Sequence, residues 1–157
     1  MFKQILVPLD GSARAEQALP LAARLARATG GTVTLVQAVS PPSKFMKSTG
    51  TIVLPEILDE DMLVAEEYLE GVAQASVLED IPTTTKVVTG HPAQAIIAEA
   101  ITDQVDLVVM CSHGYTGVMR WAMGSIAEKV ARHAPSPVLQ AAWLPLLIVR
   151  RFPLVLG

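Results

Sequence analysis

Short β-type apolar runs alternate with helix-period stretches along nearly the whole chain, and this alternation restricts the fold more than any other feature. Ile5-Leu6-Val7-Pro8-Leu9 is the first run, and it stops at Asp10-Gly11-Ser12, where Ser12 is suited to cap a following helix. Ala15, Ala18, Leu19, Ala22, Leu25 and Ala26 then recur at helical steps, the stripe of an amphipathic helix closed by Gly30-Gly31. Pro20 falls inside that stripe and is expected to remove a hydrogen bond or kink the axis. Thr32 to Val39 is rich in β-branched residues and reads as a second strand. Ser40 to Pro55 contains three prolines, Gly50 and little periodicity, so it reads as a long loop, a feature often functional in compact domains.

Asp59 to Leu78 has a helical period, with Met62, Ala65, Leu69, Val72, Ala73 and Ser76 on one side. Pro82 leads into a strand over Thr83 to Val88. Gly90-His91-Pro92 opens a third helix, with Pro92 at the first position, where its missing N–H costs nothing. Ala93, Ile97, Ala100 and Ile101 are expected to face inward. Asp106 to Met110 is a fourth strand and Gly124 to His133 a fourth helix, broken by Ala134-Pro135-Ser136-Pro137. The pattern predicts an α/β fold with a parallel sheet and helices on both faces. Right-handed crossovers restrict it to a doubly wound, Rossmann-like layout, with five strands once the carboxyl-terminal stretch adds one. Ligands in such sheets lie beyond the carboxyl ends of the strands, where the strand order reverses. Asp10, Val39 and Met110 all stand at such ends.

At 157 residues the chain reads as one domain, 1–157, in which 141–157 forms an apolar extension. Apolar residues make up 51% and charged residues 17%, which excludes global disorder. Net charge is -3 and no basic cluster exceeds Arg150-Arg151, so a nucleic-acid partner is not expected. The single cysteine, Cys111, excludes an intrachain disulfide and fits a reducing compartment. Met1-Phe2-Lys3-Gln4 leads into a strand instead of a signal-peptide apolar region. Ala141 to Val149 is apolar, but Pro145 interrupts it and Arg150-Arg151 ends it, far short of the roughly 20 residues of a membrane span. These features predict a cytoplasmic protein with no membrane partner.

The chemistry concentrates in Met110-Cys111-Ser112-His113-Gly114 and the later Gly124-Ser125. A glycine turn at a strand's carboxyl end, beside a helix N-terminus, gathers backbone N–H groups around one point, an arrangement suited to phosphate. Neither a Walker loop nor a dinucleotide fingerprint is present, since Asp10-Gly11-Ser12 carries no glycine series and no Gly-Lys-Ser/Thr occurs. Asp10 has two readings, a ligand acceptor or a local cap for its own turn. Gly114 is a phosphate cradle or a tight turn, and Ser125 a ligand contact or a plain helix start. His113 reads as a turn residue or phosphate contact, because no nucleophile or second base is placed beside it. His91 reads as a helix-entry residue and His133 as a cation at a helix C-terminus. Cys111 reads as an inert, half-buried thiol.

Val109 to Gly117 and Gly124-Ser125-Ile126-Ala127-Glu128-Lys129-Val130 resemble the nucleotide-binding signature of the universal stress protein family. The resemblance extends through Ile5-Leu6-Val7-Pro8-Leu9-Asp10-Gly11-Ser12, Gly90-His91-Pro92-Ala93 and His133-Ala134-Pro135-Ser136-Pro137-Val138-Leu139. It implies an adenine-nucleotide site, ATP with Mg2+ as the expected ligand, held by Pro8, Asp10, Ala38, Met110, His113, Gly114, Gly124, Ser125 and Ile126. In binding members of the family the first-strand aspartate reaches the adenine or ribose side. The position of Ala38 offers backbone to the base there, and the glycine signature holds ribose and phosphates.

Two positions depart from the family pattern. Cys111 stands where the pattern begins with glycine, and its Cβ either crowds the backbone's approach to a ligand or is accommodated. Ala127 replaces a hydroxyl carried by some binders, a loss of one hydrogen bond at about 0.5–1.5 kcal/mol. Two carboxyl-terminal stretches compete for the fifth strand, Pro137-Val138-Leu139 and Pro145-Leu146-Leu147-Ile148-Val149-Arg150, and the second more closely resembles the family's ending.

The expected function is regulatory nucleotide binding in a stress response. Asp10 is the one acidic residue placed for the site and no lysine lies in the glycine stretch, so hydrolysis is expected to be slow at most. The alternative is a nucleotide-free dimerisation module. An adenylating enzyme would show a Ser-Gly-Gly-x-Asp-Ser loop after the first strand, which Leu9-Asp10-Gly11-Ser12 does not supply. Trp143, Leu146, Leu147, Ile148, Phe152 and Leu154 would form a large apolar patch in water, so a homodimer through the carboxyl-terminal strand is also expected.

Overall fold

The computed structural model of the chain describes residues 1–41, 55–111 and 124–141. Strands β1 (Gln4–Leu9), β2 (Thr32–Val39), β3 (Thr83–Thr89), β4 (Leu107–Cys111) and β5 (Val138–Ala141) alternate with helices α1 (Leu19–Thr29), α2 (Pro55–Ala73), α3 (Pro92–Thr102) and α4 (Ser125–His133). The strands form one sheet of five in the order β3-β2-β1-β4-β5, and every neighbouring pair is parallel. This is the doubly wound α/β layout that the alternation predicts.

Successive strand residues point to opposite faces, so each inner strand feeds two cores. Ile5, Val7 and Leu9 of β1 join Val33 and Leu35 of β2 beneath Leu19, Ala22 and Ala26 of α1 and Leu69 and Val72 of α2. Leu6 and Val36 point the other way, onto Ala93, Ile96 and Ala100 of α3 and Ala127 and Val130 of α4. Val7, Val33, Leu35, Val36 and Val108 are fully shielded, and each such side chain contributes about 1.5–3 kcal/mol by leaving water.

Several local expectations are revised. Pro20 does not kink a long helix: a 3-10 turn at Ala15–Ala18 comes first and α1 starts afresh at Leu19. Pro20 therefore lies in the first turn, where no helical acceptor awaits its absent N–H. Gly30, at φ 60°, ends α1 in the left-handed region, as a helix-stop glycine should. Helix α2 begins at Pro55 instead of Asp59 and ends at Ala73, followed by a short 3-10 turn at Ser76–Leu78. On α3 it is Ile96 that is buried, while Ile101 is 59% exposed. Of the two stretches competing for the fifth strand, the one beginning at Pro137 supplies the strand beside β4. Val138 pairs with Val108, and Pro137 just ahead contributes only its carbonyl, accepting from Val108 N at 3.0 Å. A proline is tolerated at that entry because no ladder bond needs its N–H. Residues 145–150 lie outside the described residues.

Asp106 fastens the start of β1: its Oδ2 accepts from Lys3 N at 2.7 Å and from Gln4 N at 2.9 Å. The two backbone N–H bonds hold the Asp106 carboxyl below its ordinary range. Thr29 Oγ1 donates to Phe2 O at 2.6 Å, tying the end of α1 to the same place.

Candidate functional site

Strand order reverses between β1 and β4, and there the pairing is short. Bridge partners are Ile5↔Leu107 and Leu6↔Val108, whereas β1 stays paired with β2 to Leu9↔Gln37 and β4 with β5 to Cys111↔Ala141. The two central strands thus part over their carboxyl halves, at the switch point where doubly wound sheets take ligands. Pro8 and Met110 stand on the two lips of this parting, and both side chains are buried, so each offers backbone there. Pro8 can offer only its carbonyl.

Asp10 follows β1 and is exposed. Its Oδ1 accepts from Ser12 N at 3.0 Å and Ser12 Oγ at 2.5 Å, while Ser12 Oγ accepts from Ala15 N at 3.1 Å. This is the local turn of the capping reading. It uses one carboxylate oxygen; Oδ2 has no protein partner among the described residues and can accept from a ligand. Gly11 between them sits at φ 79°, a left-handed turn position that favours glycine.

Ala38 lies one position beyond the Leu9↔Gln37 pair, on the same edge as Asp10, and is half-buried. Gly90, at φ 134°, closes this edge: its N–H donates to Val39 O at 3.0 Å and its carbonyl accepts from Ser40 Oγ at 3.2 Å. His91 is the helix-entry residue expected of it, with its carbonyl accepting from Ala95 N at 2.9 Å.

Helix α4 begins at Gly124 with φ -59° and ψ 145°, and no side chain caps it. Its first helical bond is Glu128 N to Gly124 O at 2.9 Å, so the N–H groups of Ser125, Ile126 and Ala127 precede the ladder. Ser125 and Ile126 are exposed and Gly124 half-buried, while Ala127 is packed into the core at 4% exposure. A hydroxyl at position 127 would therefore point into the core. The helix N-terminus adds a partial positive charge suited to an anion. At its other end His133 Nδ1 lies 2.9 Å from Lys129 O.

The structure thus places Pro8, Asp10, Ala38 and Met110 at the carboxyl ends of β1, β2 and β4, and Gly124, Ser125 and Ile126 at the start of α4. His113 and Gly114 lie outside the described residues. Cys111 ends β4 as a free, half-buried thiol. Among the described residues no group of three or more His, Cys, Asp or Glu is placed to hold a metal, and no helix is long and apolar enough to cross a membrane. An open depression lined by Gln4, Thr32, Thr34, Thr83, Thr84 and Asp103 lies at the opposite, amino end, away from every expected site residue.

Two features of this end escaped sequence reasoning. Tyr68 of α2 donates its hydroxyl to Glu16 Oε1 at 2.9 Å, across to the turn that follows Asp10. Burial first, then the Glu16 bond and the Glu16 and Asp10 charges, push the Tyr68 phenol well above its ordinary range. A signal existed: Tyr68 sits three residues after Ala65 and four before Val72, an amphipathic ring at the edge of the apolar stripe. Gln37 Oε1 is buried without a hydrogen-bond partner, which no local pattern announces.

Residues 1–141 match the family model described as the universal stress protein family. The chain belongs to that family. It is 34% identical over 140 residues to the universal stress protein in the QAH/OAS sulfhydrylase 3′ region of Thermus aquaticus, covering 88% of this chain and 98% of that one. Among solved structures it is similar to hypothetical protein MJ0577, with TM-score 0.77 and 28% identity over 90% of this chain and 96% of that one. It is also similar to a universal stress protein from Archaeoglobus fulgidus solved in complex with dAMP, with TM-score 0.62 and 25% identity over 87% of this chain and 95% of that one.

Proposed function

We propose that this chain binds an adenine nucleotide, ATP with Mg2+ in the first instance, as a regulatory ligand in a stress response. The observation that carries this reading is the uncapped start of α4 at Gly124, in a sheet whose β1 and β4 part over their carboxyl halves. The dAMP complex of the Archaeoglobus relative supports the adenine class. In this reading the N–H groups of Ser125 and Ile126 meet phosphate beside Gly124, and His113 and Gly114 complete the cradle. Asp10 Oδ2 and the backbone of Ala38 take the ribose or base side, and the Pro8 and Met110 backbones line the crevice. Mg2+ would be held mainly by the phosphates, since Asp10 is the one carboxylate placed there by the expected site. Catalysis has no assembled machinery in this set, and turnover under saturating ATP is expected far below the roughly 1–100 s⁻¹ of kinases.

Isothermal titration with ATP and Mg2+ tests the reading, with a dissociation constant in the micromolar range expected. Absence of heat and of any thermal shift at millimolar nucleotide would favour a nucleotide-free interaction module instead. That second reading has its own support in Cys111, where the family pattern has glycine.

We further propose one domain over 1–157, cytoplasmic and homodimeric, joined through residues from Pro137 onward, with 141–157 as its apolar extension. The apolar residues of 141–157 support the dimer, since they would form a large patch if left in water. Because β5 runs to Ala141, the informative truncation is after Ala141, and light scattering should report a smaller oligomer. An unchanged mass would remove the tail, though not β5, from the interface.

A further inference from the structure

We propose that Tyr68 and Glu16 are positioning residues that hold the Asp10 turn in its ligand-receiving geometry; this rests on the nucleotide reading above. Among the described residues the turn's side-chain bonds are all local, from Ser12 to Asp10 Oδ1 and from Ala15 N to Ser12 Oγ. Gly11 is left-handed with open space around it, and the 3-10 turn Ala15–Ala18 that follows is only four residues long, a weak element by itself. Its backbone link to the Asp10 turn, Glu16 N to Ser12 O, is long at 3.4 Å.

What steadies it comes from α2. Tyr68 packs its ring against the core shared by α1 and α2 and donates to Glu16 Oε1 at 2.9 Å. From Glu16 the connection runs through its backbone to Ser12, whose hydroxyl accepts from Ala15 N at 3.1 Å and donates to Asp10 Oδ1 at 2.5 Å. Hydrogen bonds and the short backbone between Ser12 and Glu16 therefore link α2 to the carboxylate at Oδ1, while Oδ2 has no partner among the described residues. A group held in place before the ligand arrives loses less freedom on binding, which is how a bond remote from the ligand raises affinity.

Tyr68→Phe keeps the packed ring and removes only the bond to Glu16. ATP affinity is expected to fall about three- to tenfold, the size of one lost hydrogen bond. Glu16→Gln keeps an oxygen for the tyrosine hydroxyl and should stay within about twofold of the wild type. The deciding measurement is the double mutant: in an Asp10→Ala background Tyr68→Phe should lose its effect, because the bond acts through Asp10. A general structural role would instead weaken both backgrounds equally. If Asp10→Ala binds too weakly to titrate, amide exchange over residues 10–18 of nucleotide-free Tyr68→Phe decides, and unchanged protection there overturns the proposal. Equal affinity of Tyr68→Phe and wild type, or additive losses, overturns the positioning role and leaves the nucleotide site standing. A wild type that ignores millimolar ATP overturns both.

Discussion

At the amino ends of the strands, side chains are bound to backbone across long stretches of sequence; at the carboxyl ends they are bound mostly to their near neighbours. Asp106 reaches Lys3 and Gln4, Lys3 Nζ donates to Thr29 O at 2.6 Å, and Thr29 reaches Phe2. On β3, Lys86 Nζ joins both Glu99 of α3 and Asp103 just past its end, at 2.5 and 2.7 Å. Opposite, Asp10 holds Ser12, α4 starts without a cap, and Gln37 keeps a buried oxygen unpaired. The difference separates two tasks. One end closes the fold, and at the other a helix start carries no side-chain cap and the Asp10 carboxylate bonds only locally among the described residues. The open depression at the amino end does not reverse this, because the Thr34 and Thr84 hydroxyls beside it already face each other at 3.2 Å.

The sharpest way to break the comparison is Gly31→Ala. An added Cβ would lie 2.7 Å from Phe2 O and 3.0 Å from Lys3 O, backbone atoms of the fastened end that cannot turn aside. Denaturant unfolding should show a loss of about 2–3 kcal/mol, with nucleotide affinity unchanged in the folded fraction. A loss below about 0.5 kcal/mol would mean that this end is looser than its bonding implies.

Gly124→Val is the complementary experiment. Its φ of -59° and ψ of 145° suit any residue, so stability should change by less than about 1 kcal/mol. ATP affinity should fall at least about tenfold, because the side chain blocks the helix start. A variant that binds as well as the wild type would remove phosphate from this helix.

A smaller effect is expected at Gln104, just past α3, which is the one described non-glycine residue with positive φ, at 50°. Gln104→Gly relieves the left-handed strain while adding freedom to the unfolded chain, and should stabilise by about 0.5 kcal/mol. A lower melting temperature would show that the glutamine side chain contributes to the closed end.

The smallest effect is one of slope. The lowered carboxyl of Asp106 contributes stability at pH above its ordinary value of 3.8, and loses it as pH falls through the lower folded value. Wild-type melting temperature should therefore carry an acid-side decline below about pH 4 that Asp106→Asn lacks. Parallel curves for the two proteins would show that the carboxylate at this end is not linked to folding.

Much of this was legible in the sequence. The period-2 and helical-period stretches located β1 to β4 and the four helices because burial of one face imposes its spacing on the residues. The glycine turns and Asp10 pointed to the carboxyl side for the same local reason, since left-handed backbone and capping chemistry are short-range. Pro20 shows where such reading stops. A proline within a continuous apolar stripe looks like a kink, and the chain avoids it by changing helix type at Leu19. Asp10 shows another limit, because of its two readings the structure displays the local cap, made by one carboxylate oxygen.

The alternating elements and the α/β class were thus readable from the residues alone, since burial of one face sets the spacing within each element. Tertiary structure alone decided the order β3-β2-β1-β4-β5, the parting of β1 from β4, and Val138–Ala141 as the fifth strand. It also decided the Asp106 clasp on β1 and the Tyr68–Glu16 bond, which join residues 102 and 52 positions apart. Such pairings are selected by which surfaces meet once the helices have packed, and nothing in the spacing of neighbouring residues encodes that choice.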